Sequence, residues 1–322
     1  MKVTMCAPAR FTIFDGAKQL LKHGMLRQLI TQYPKFKTRQ WGIPDEIVTS
    51  TLLTGVANLC IYKSLSSRLV NKSRAVEIMH RLFANTVSRH IPADTDVLYG
   101  LSSFMLETLQ YAKSNGILSF VDHGSLHQRK EKEILAAECE QFGFSPFGNW
   151  QYDWLLDKED AEFAGSDFIV VASSLARKTL INNQVPASKI YVNPLGVDMT
   201  LFYPGEKKDD IFRIIFCGGL NPLKGVHYLV KAFHELNLPN SELWLIGTPP
   251  NDDRFLAVLN KHSGNNVTMK GTFPQSELRK LFCQGSVFVL PSLSDGWGLV
   301  VLQAMACGLP VIVSDMTGAA DA

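Results

Sequence analysis

The 322-residue sequence lacks an apolar run long enough to cross a bilayer: its most apolar stretch, residues 51–62, falls short of the ~20 residues a spanning helix needs. The opening Met1-Lys2-Val3-Thr4-Met5-Cys6-Ala7 is too short an apolar segment for a secretory leader and reads as a buried first strand. Cysteine is sparse. Cys6, Cys60, Cys139, Cys217, Cys283 and Cys307 form no C-x-x-C pair and have no histidine at ligand spacing, so neither a disulfide framework nor a structural metal is expected. Four of the six lie in apolar runs, where cysteine behaves as a small buried hydrophobe; reduced thiols in a cytoplasmic protein follow. A P-loop is missing, as is the G-x-G-x-x-G dinucleotide fingerprint, and no D-x-D metal motif stands on a suitable loop. The missing fingerprint disfavours a nicotinamide-dependent oxidoreductase. No residue argues for an isomerase, and no internal repeat or low-complexity tract is visible.

What is present fits a globular chain of two domains. The hydrophobic fraction is 46% and the charged fraction 19%. The net charge of +2 is unevenly spread: residues 1–130 hold 17 Lys/Arg against 8 Asp/Glu, and residues 131–210 hold 7 against 14. A basic first region attracts phosphates, anionic lipid or nucleic acid. No nucleic-acid module accompanies the charge, so no nucleic acid is expected as a partner. Tyr33-Pro34-Lys35-Phe36-Lys37-Thr38-Arg39-Gln40-Trp41 and the amphipathic basic stretch 63–89 interleave cations with apolar groups. That mixture suits peripheral contact with an anionic membrane or a lipid-linked saccharide phosphate, at the inner face of a membrane. An ordinary solvated surface accounts for it equally well.

Short apolar runs alternate with longer amphipathic ones, the pattern of parallel sheets covered by helices. Strands are expected at 2–7, 27–31, 96–99, 117–121, 168–172 and 190–192, with helices at 17–23, 73–89, 104–114 and 128–142. A polar Pro/Gly-containing linker spans 198–210. A second series of strands then runs through 212–217, 243–246, 267–270, 287–290 and 311–313. The expected organisation is a first lobe over 1–197 and a second over 211–322. The second lobe reads as incomplete, because no strand–helix unit follows its last strand.

Two loops carry the chemistry. In the first, the strand 287–290 runs into Pro291-Ser292-Leu293-Ser294-Asp295-Gly296-Trp297-Gly298, and a helix begins near Gly298 and stops at Gly308. Glycines admit close backbone approach, and the N–H groups of Leu299 and Val300 at the helix start suit an anion. Asp295 and Gln303 are eight residues apart, about 800° of helical turn, so both side chains are expected to face one crevice and take neighbouring hydroxyls. Equally, the glycines make turns and Asp295 caps the helix. In the second, the strand 212–217 leads to Gly218-Gly219-Leu220-Asn221-Pro222-Leu223-Lys224-Gly225 and a helix from Val226, which presents the Lys224 ammonium to a phosphate or simply to solvent. A third run, Asn193 to Phe202, marks only a turn at the lobe boundary.

In this order and separation, the three runs closely resemble the retaining glycosyltransferases of family 4. The resemblance is clear over 190–317 and weaker over 1–190, through Val121-Asp122-His123-Gly124-Ser125-Leu126-His127 and the acidic helix after it. It implies a GT-B fold: two Rossmann-like, doubly wound α/β lobes facing a cleft, with the donor bound by the second. It implies transfer of a sugar, with retention and without metal, from a nucleotide-diphosphate sugar to a saccharide or lipid-linked acceptor, in surface polysaccharide or lipopolysaccharide synthesis. The nucleotide sugar is then a co-substrate, and no cofactor is expected. Lys224 would contact the diphosphate, and Asp295 the sugar hydroxyls. Gly218, Gly219 and the Gly296, Trp297, Gly298, Leu299 and Val300 backbone would line the donor. Gln303 would bind the ribose and Thr272 the base, while His127, or else His123, would stand near the reacting sugar.

The sequence departs from the pattern at three places. Gly219 stands where many members have arginine, Asp295 and Gln303 replace two glutamates, and Pro8-Ala9-Arg10-Phe11 replaces a Gly-Gly loop. Arg10 is a candidate for the missing cation. The same departures suit a catalytically inactive sugar-nucleotide-binding relative as the alternative.

Overall fold

The computed structural model describes residues 1–64, 71–144, 152–250 and 252–322; within the basic stretch 63–89, residues 65–70 lie outside this set. Seven strands form the first sheet: β1 (Val3–Ala7), β2 (Leu26–Thr31), β3 (Val48–Ser50), β4 (Val97–Leu101), β5 (Leu118–His123), β6 (Phe168–Val171) and β7 (Ile190–Val192). Their order is β3-β2-β1-β4-β5-β6-β7, and β1 pairs parallel with both β2 and β4. The second sheet holds β8 (Phe212–Cys217), β9 (Ser241–Ile246), β10 (Val267–Gly271), β11 (Val287–Leu290) and β12 (Val311–Val313), ordered β10-β9-β8-β11-β12 with parallel pairing. Both are doubly wound: the order reverses between β1 and β4 in one sheet and between β8 and β11 in the other. Ligands of such sheets bind outside the carboxyl ends of the strands at that reversal.

Helices cover both sheets. They are α1 (Thr12–Lys22), α2 (Lys35–Gln40), α3 (Leu52–Ser64), α4 (Lys72–Ser88), α5 (Leu106–Ser114), α6 (Gln128–Phe142), α7 (Asp153–Gly165), α8 (Ser174–Asn182), α9 (Val226–Leu236), α10 (Asp253–His262), α11 (Gln275–Phe282) and α12 (Leu299–Ala306). No helix among the described residues is long and apolar enough to cross a membrane.

Contacts divide the chain into two units. One comprises Met1–His123, Tyr152–Val170 and Val185–Tyr191; the other comprises Gly124–Gln151, Val171–Gln184 and Val192–Ala322. Thus α6 and α8, which precede the second sheet in sequence, pack with it. On α6 the buried positions are Glu131, Leu135 and Glu138, spaced by four and three residues along one face. The core of the second unit centres on β8, whose Ile214, Ile215, Phe216 and Cys217 are all buried. A continuous apolar run is what a parallel strand covered on both faces requires. Each fully buried Phe or Ile contributes about 1.5–3 kcal/mol before entropy is counted.

In the first unit, α5 begins without a capping side chain of its own. The buried Glu162 carboxylate of α7 serves instead, accepting the N–H groups of Ser103, Met105 and Leu106 at 2.6, 2.7 and 3.0 Å. Ser103 sits in the left-handed region at φ 73°, and its carbonyl accepts from His80 Nδ1 at 2.8 Å. Burial pushes Glu162 up to about 7, and it pushes His80 down to about 4.

Candidate functional site

The loops after β8 and β11 meet at the reversal of the second sheet, and backbone geometry explains how. Gly218 N–H bonds the Ile246 carbonyl at 2.8 Å, and Gly247 packs so closely that a Cβ there would lie 1.7 Å from Gly218 O. The Asn221 side chain then caps a 3-10 turn, Pro222–Lys224, by accepting from Lys224 N–H at 3.3 Å. Gly225 ends the turn at φ +63°, and a Cβ there would meet Pro291 O at 1.9 Å. Only glycine allows this approach. The Leu223 carbonyl accepts from both Leu293 and Ser294 N–H, at 2.8 and 3.1 Å, so the loops are joined main chain to main chain.

This junction brings Lys224 and Asp295 together. Lys224 Nζ donates to Asp295 Oδ2 at 2.7 Å, with both side chains partly covered. Asp295 Oδ1 accepts from Trp297 N–H at 3.3 Å, and its backbone bonds Met316 and Gly318 in the loop after β12. Gly298 follows at φ +78° and starts α12 without a capping side chain. The amino end of α12 therefore opens directly after the Lys224–Asp295 pair, and a helix start of this kind favours anions.

The other expected site residues divide into two groups. Gly218, Gly219, Gly296, Trp297, Gly298, Leu299, Val300 and Gln303 stand on or beside these joined loops. The helical-rotation argument linking Asp295 to Gln303 does not hold, because α12 starts only at Leu299 and Asp295 lies in the loop before it. Gln303 is nevertheless buried, and its Oε1 has no hydrogen-bond partner; the same is true of Trp297 Nε1. Buried polar atoms without partners cost stability, and a site that awaits a polar ligand is one reason to retain them. Thr272 is elsewhere: it is exposed, just after β10, two strands from β8. His127 is the N-cap of α6, where its Nδ1 accepts from Arg129 N–H at 3.3 Å and its own N–H bonds Thr179 Oγ1 at 3.1 Å.

His123 and Arg10 belong to the first unit. The buried His123 ring lies with Nδ1 3.0 Å from Ser102 Oγ and 3.5 Å from the Glu159 carboxylate. Arg10 is exposed and stacks over the Trp41 ring at 4.9 Å. The triplet Asp94-Thr95-Asp96 has D-x-D spacing, and Asp94 is taken up by Lys2 and Arg27 at 2.7 and 2.8 Å.

Sequence reasoning did not find the residues that hold the 294–298 loop. Ser294 Oγ donates to the buried Glu131 carboxylate of α6 at 2.6 Å. Ser173, the N-cap of α8, donates from Oγ to Gly296 O at 2.7 Å. A Cβ on Gly296 would lie 2.3 Å from Gly124 O. The alternation of α6 gave a faint signal, since two of its three buried positions are glutamates, which need partners when buried.

Residues 201–322 match the family model described as glycosyl transferases group 1. The match covers the last 122 of the 322 residues. The site loops lie within it. The chain is 27% identical over 223 residues to the MMP alpha-(1->4)-mannosyltransferase of Mycolicibacterium hassiacum, covering 69% of this chain and 54% of that one. It is 31% identical over 182 residues to the D-inositol 3-phosphate glycosyltransferase of Stackebrandtia nassauensis, covering 50% and 41%. The matches thus span about half the length of these curated relatives. Among solved structures, Anabaena HepE in complex with UDP and glucose aligns with a TM-score of 0.64 at 16% identity, covering 100% of this chain and 82% of that one. The likeness is one of fold: two Rossmann-like lobes, the GT-B class that the sequence implied.

Proposed function

We propose that the chain is a glycosyltransferase that moves a sugar from a nucleotide-diphosphate sugar to a saccharide or lipid-linked acceptor, with retention and without a metal. The observation that carries this reading is the Lys224–Asp295 pair at the mouth of α12, where the second sheet reverses. As the bond from the anomeric carbon to the diphosphate breaks, negative charge grows on the leaving group. The Lys224 ammonium and the Leu299 and Val300 N–H groups stabilise it, each charge-assisted bond contributing about 1.5–3 kcal/mol. Asp295 accepts from sugar hydroxyls, and the unpartnered Gln303 Oε1 accepts from the ribose. The two relatives' names, a mannosyltransferase and an inositol-phosphate glycosyltransferase, support a sugar-transfer reaction on a saccharide or polyol acceptor. Surface polysaccharide or lipopolysaccharide synthesis rests on the family resemblance alone. Peripheral membrane contact is supported by the exposed Leu52, Leu53 and Val56 of α3 within the basic first region.

A thermal-stability screen against UDP, GDP, ADP and their sugars tests the reading, since a bound donor raises the melting temperature. One nucleotide family should stabilise the protein, and no stabilisation at saturating concentration would overturn the proposal. A binding-only relative is the second reading, favoured by Gly219 and by the neutralisation of Lys224 by Asp295. Release of free sugar or transfer product from the stabilising donor separates the two.

A further inference from the structure

The loop that carries Asp295 is held from α6 by a buried carboxylate. Glu131 is 5% exposed, one turn into α6, and its Oε1 accepts from Ser294 Oγ at 2.6 Å across 163 residues of sequence. Ser294 is itself 3% exposed, and its N–H is already bonded to Leu223 O, in the turn that presents Lys224. One residue therefore faces two ways: its backbone toward the Lys224 turn, its side chain toward α6. Burying a carboxylate is expensive unless it is hydrogen-bonded, and a residue kept at such cost fixes geometry. The geometry points to Glu131 as a positioning residue, which sets the 294–298 loop through Ser294 and so holds Asp295 against Lys224. In the sugar-transfer reading, on which this inference rests for its functional meaning, Glu131 acts on the site through Ser294. It decides whether the ammonium, the carboxylate and the start of α12 stand ready together.

The test reads the pair directly. In the full-length chain, acetic-anhydride labelling of Lys224, quantified by mass spectrometry against surface lysines, reports how firmly Asp295 holds the ammonium. Glu131→Leu, which removes the acceptor, and Ser294→Ala should each raise Lys224 labelling about fivefold, and the double substitution should raise it no further than Glu131→Leu alone, because the Ser294–Glu131 contact is then already lost. Ser294→Thr, which keeps the hydroxyl, should restore the parental value. If Lys224 labelling stays at the parental level in both single variants, the positioning role is refuted, whatever happens to stability. Should Glu131→Leu fail to fold, Ser294→Ala alone decides. A nucleotide panel of UDP, GDP and ADP on the parental protein tests the transferase reading separately: failure there leaves the labelling result standing. Where a nucleotide does bind, Glu131→Leu should lower kcat more than it raises KM, as a loosened but intact site would.

Discussion

Lys224 Nζ and Asp295 Oδ2 lie 2.7 Å apart although 71 residues separate them, and the contact exists because a glycine stands next to the lysine. Any side chain at 225 would collide with the Pro291 carbonyl and push the two loops apart. The pairing also keeps the ammonium from being a bare charge beside a helix start. In the proposed reaction, an arriving diphosphate would draw Lys224 away from Asp295 and free the carboxylate for sugar hydroxyls, coupling diphosphate binding to sugar binding.

Replacing Lys224 by methionine tests the charge while keeping the stem. Its side chain is 26% exposed and that of Asp295 15%, so loss of the ion pair should cost some stability without unfolding the chain. Transfer or donor hydrolysis should fall about 100- to 1000-fold in kcat, the loss typical of one preorganised transition-state donor. Steady-state kinetics alongside circular dichroism would check this, and a variant retaining more than half the activity would remove Lys224 from the mechanism.

Gly225→Ala should be among the more damaging small substitutions in the chain. It combines a left-handed φ of +63° with a Cβ only 1.9 Å from a backbone oxygen. A cost of about 2–4 kcal/mol is expected in urea unfolding, from strain plus displacement of the 291–298 loop. A loss near zero would mean that the loops are not held as described.

The second sheet was largely legible in the sequence. β8, β11 and β12 fall on the expected ranges, because buried parallel strands are nearly continuous apolar runs. Three-residue β3 and six-residue α2 were not, since so few residues establish no period. The helices α3, α7 and α8 were also missed, and α7 buries Lys158, Glu159 and Glu162, which one-dimensional patterning reads as a solvated face. At the site, glycines and the lysine betrayed the loops after β8 and β11. The distance between the loops did not show, nor did Glu131 and Ser173, whose partners lie more than a hundred residues away. Polar contacts of that range leave no trace in spacing.

Gln303→Leu should separate stability from binding. Its buried Oε1 lacks a partner, so an apolar side chain of similar volume should raise stability by about 1 kcal/mol. If Gln303 serves the ribose, affinity for the stabilising nucleotide should drop about fivefold at the same time. Calorimetric titration with chemical denaturation reads both quantities. Higher stability with unchanged affinity would assign Gln303 no ligand.

Acid–base balance in the first unit predicts a pH signature traceable to Glu162. Burial raises its folded value from the ordinary 4.5 to about 7, so between these limits the folded chain holds a proton that the unfolded chain has released. Its contribution to stability is therefore complete below about 4.5 and declines as pH rises toward 7. Asp122, pushed by burial from 3.8 to about 6, acts in the same direction over its own lower window. His80 opposes them: burial lowers it from 6.5 to about 4, so it binds fewer protons when folded, and its contribution grows as pH climbs between those values. Glu162→Gln isolates one of these groups, since the amide oxygen still accepts from the α5 amino end while carrying no titratable proton. The melting temperature of the parental protein, measured relative to Glu162→Gln, should fall steadily from pH 4.5 to 7. A difference that stayed flat, or rose, across that interval would show that the three N–H bonds and Lys158 outweigh burial and hold Glu162 ionised throughout.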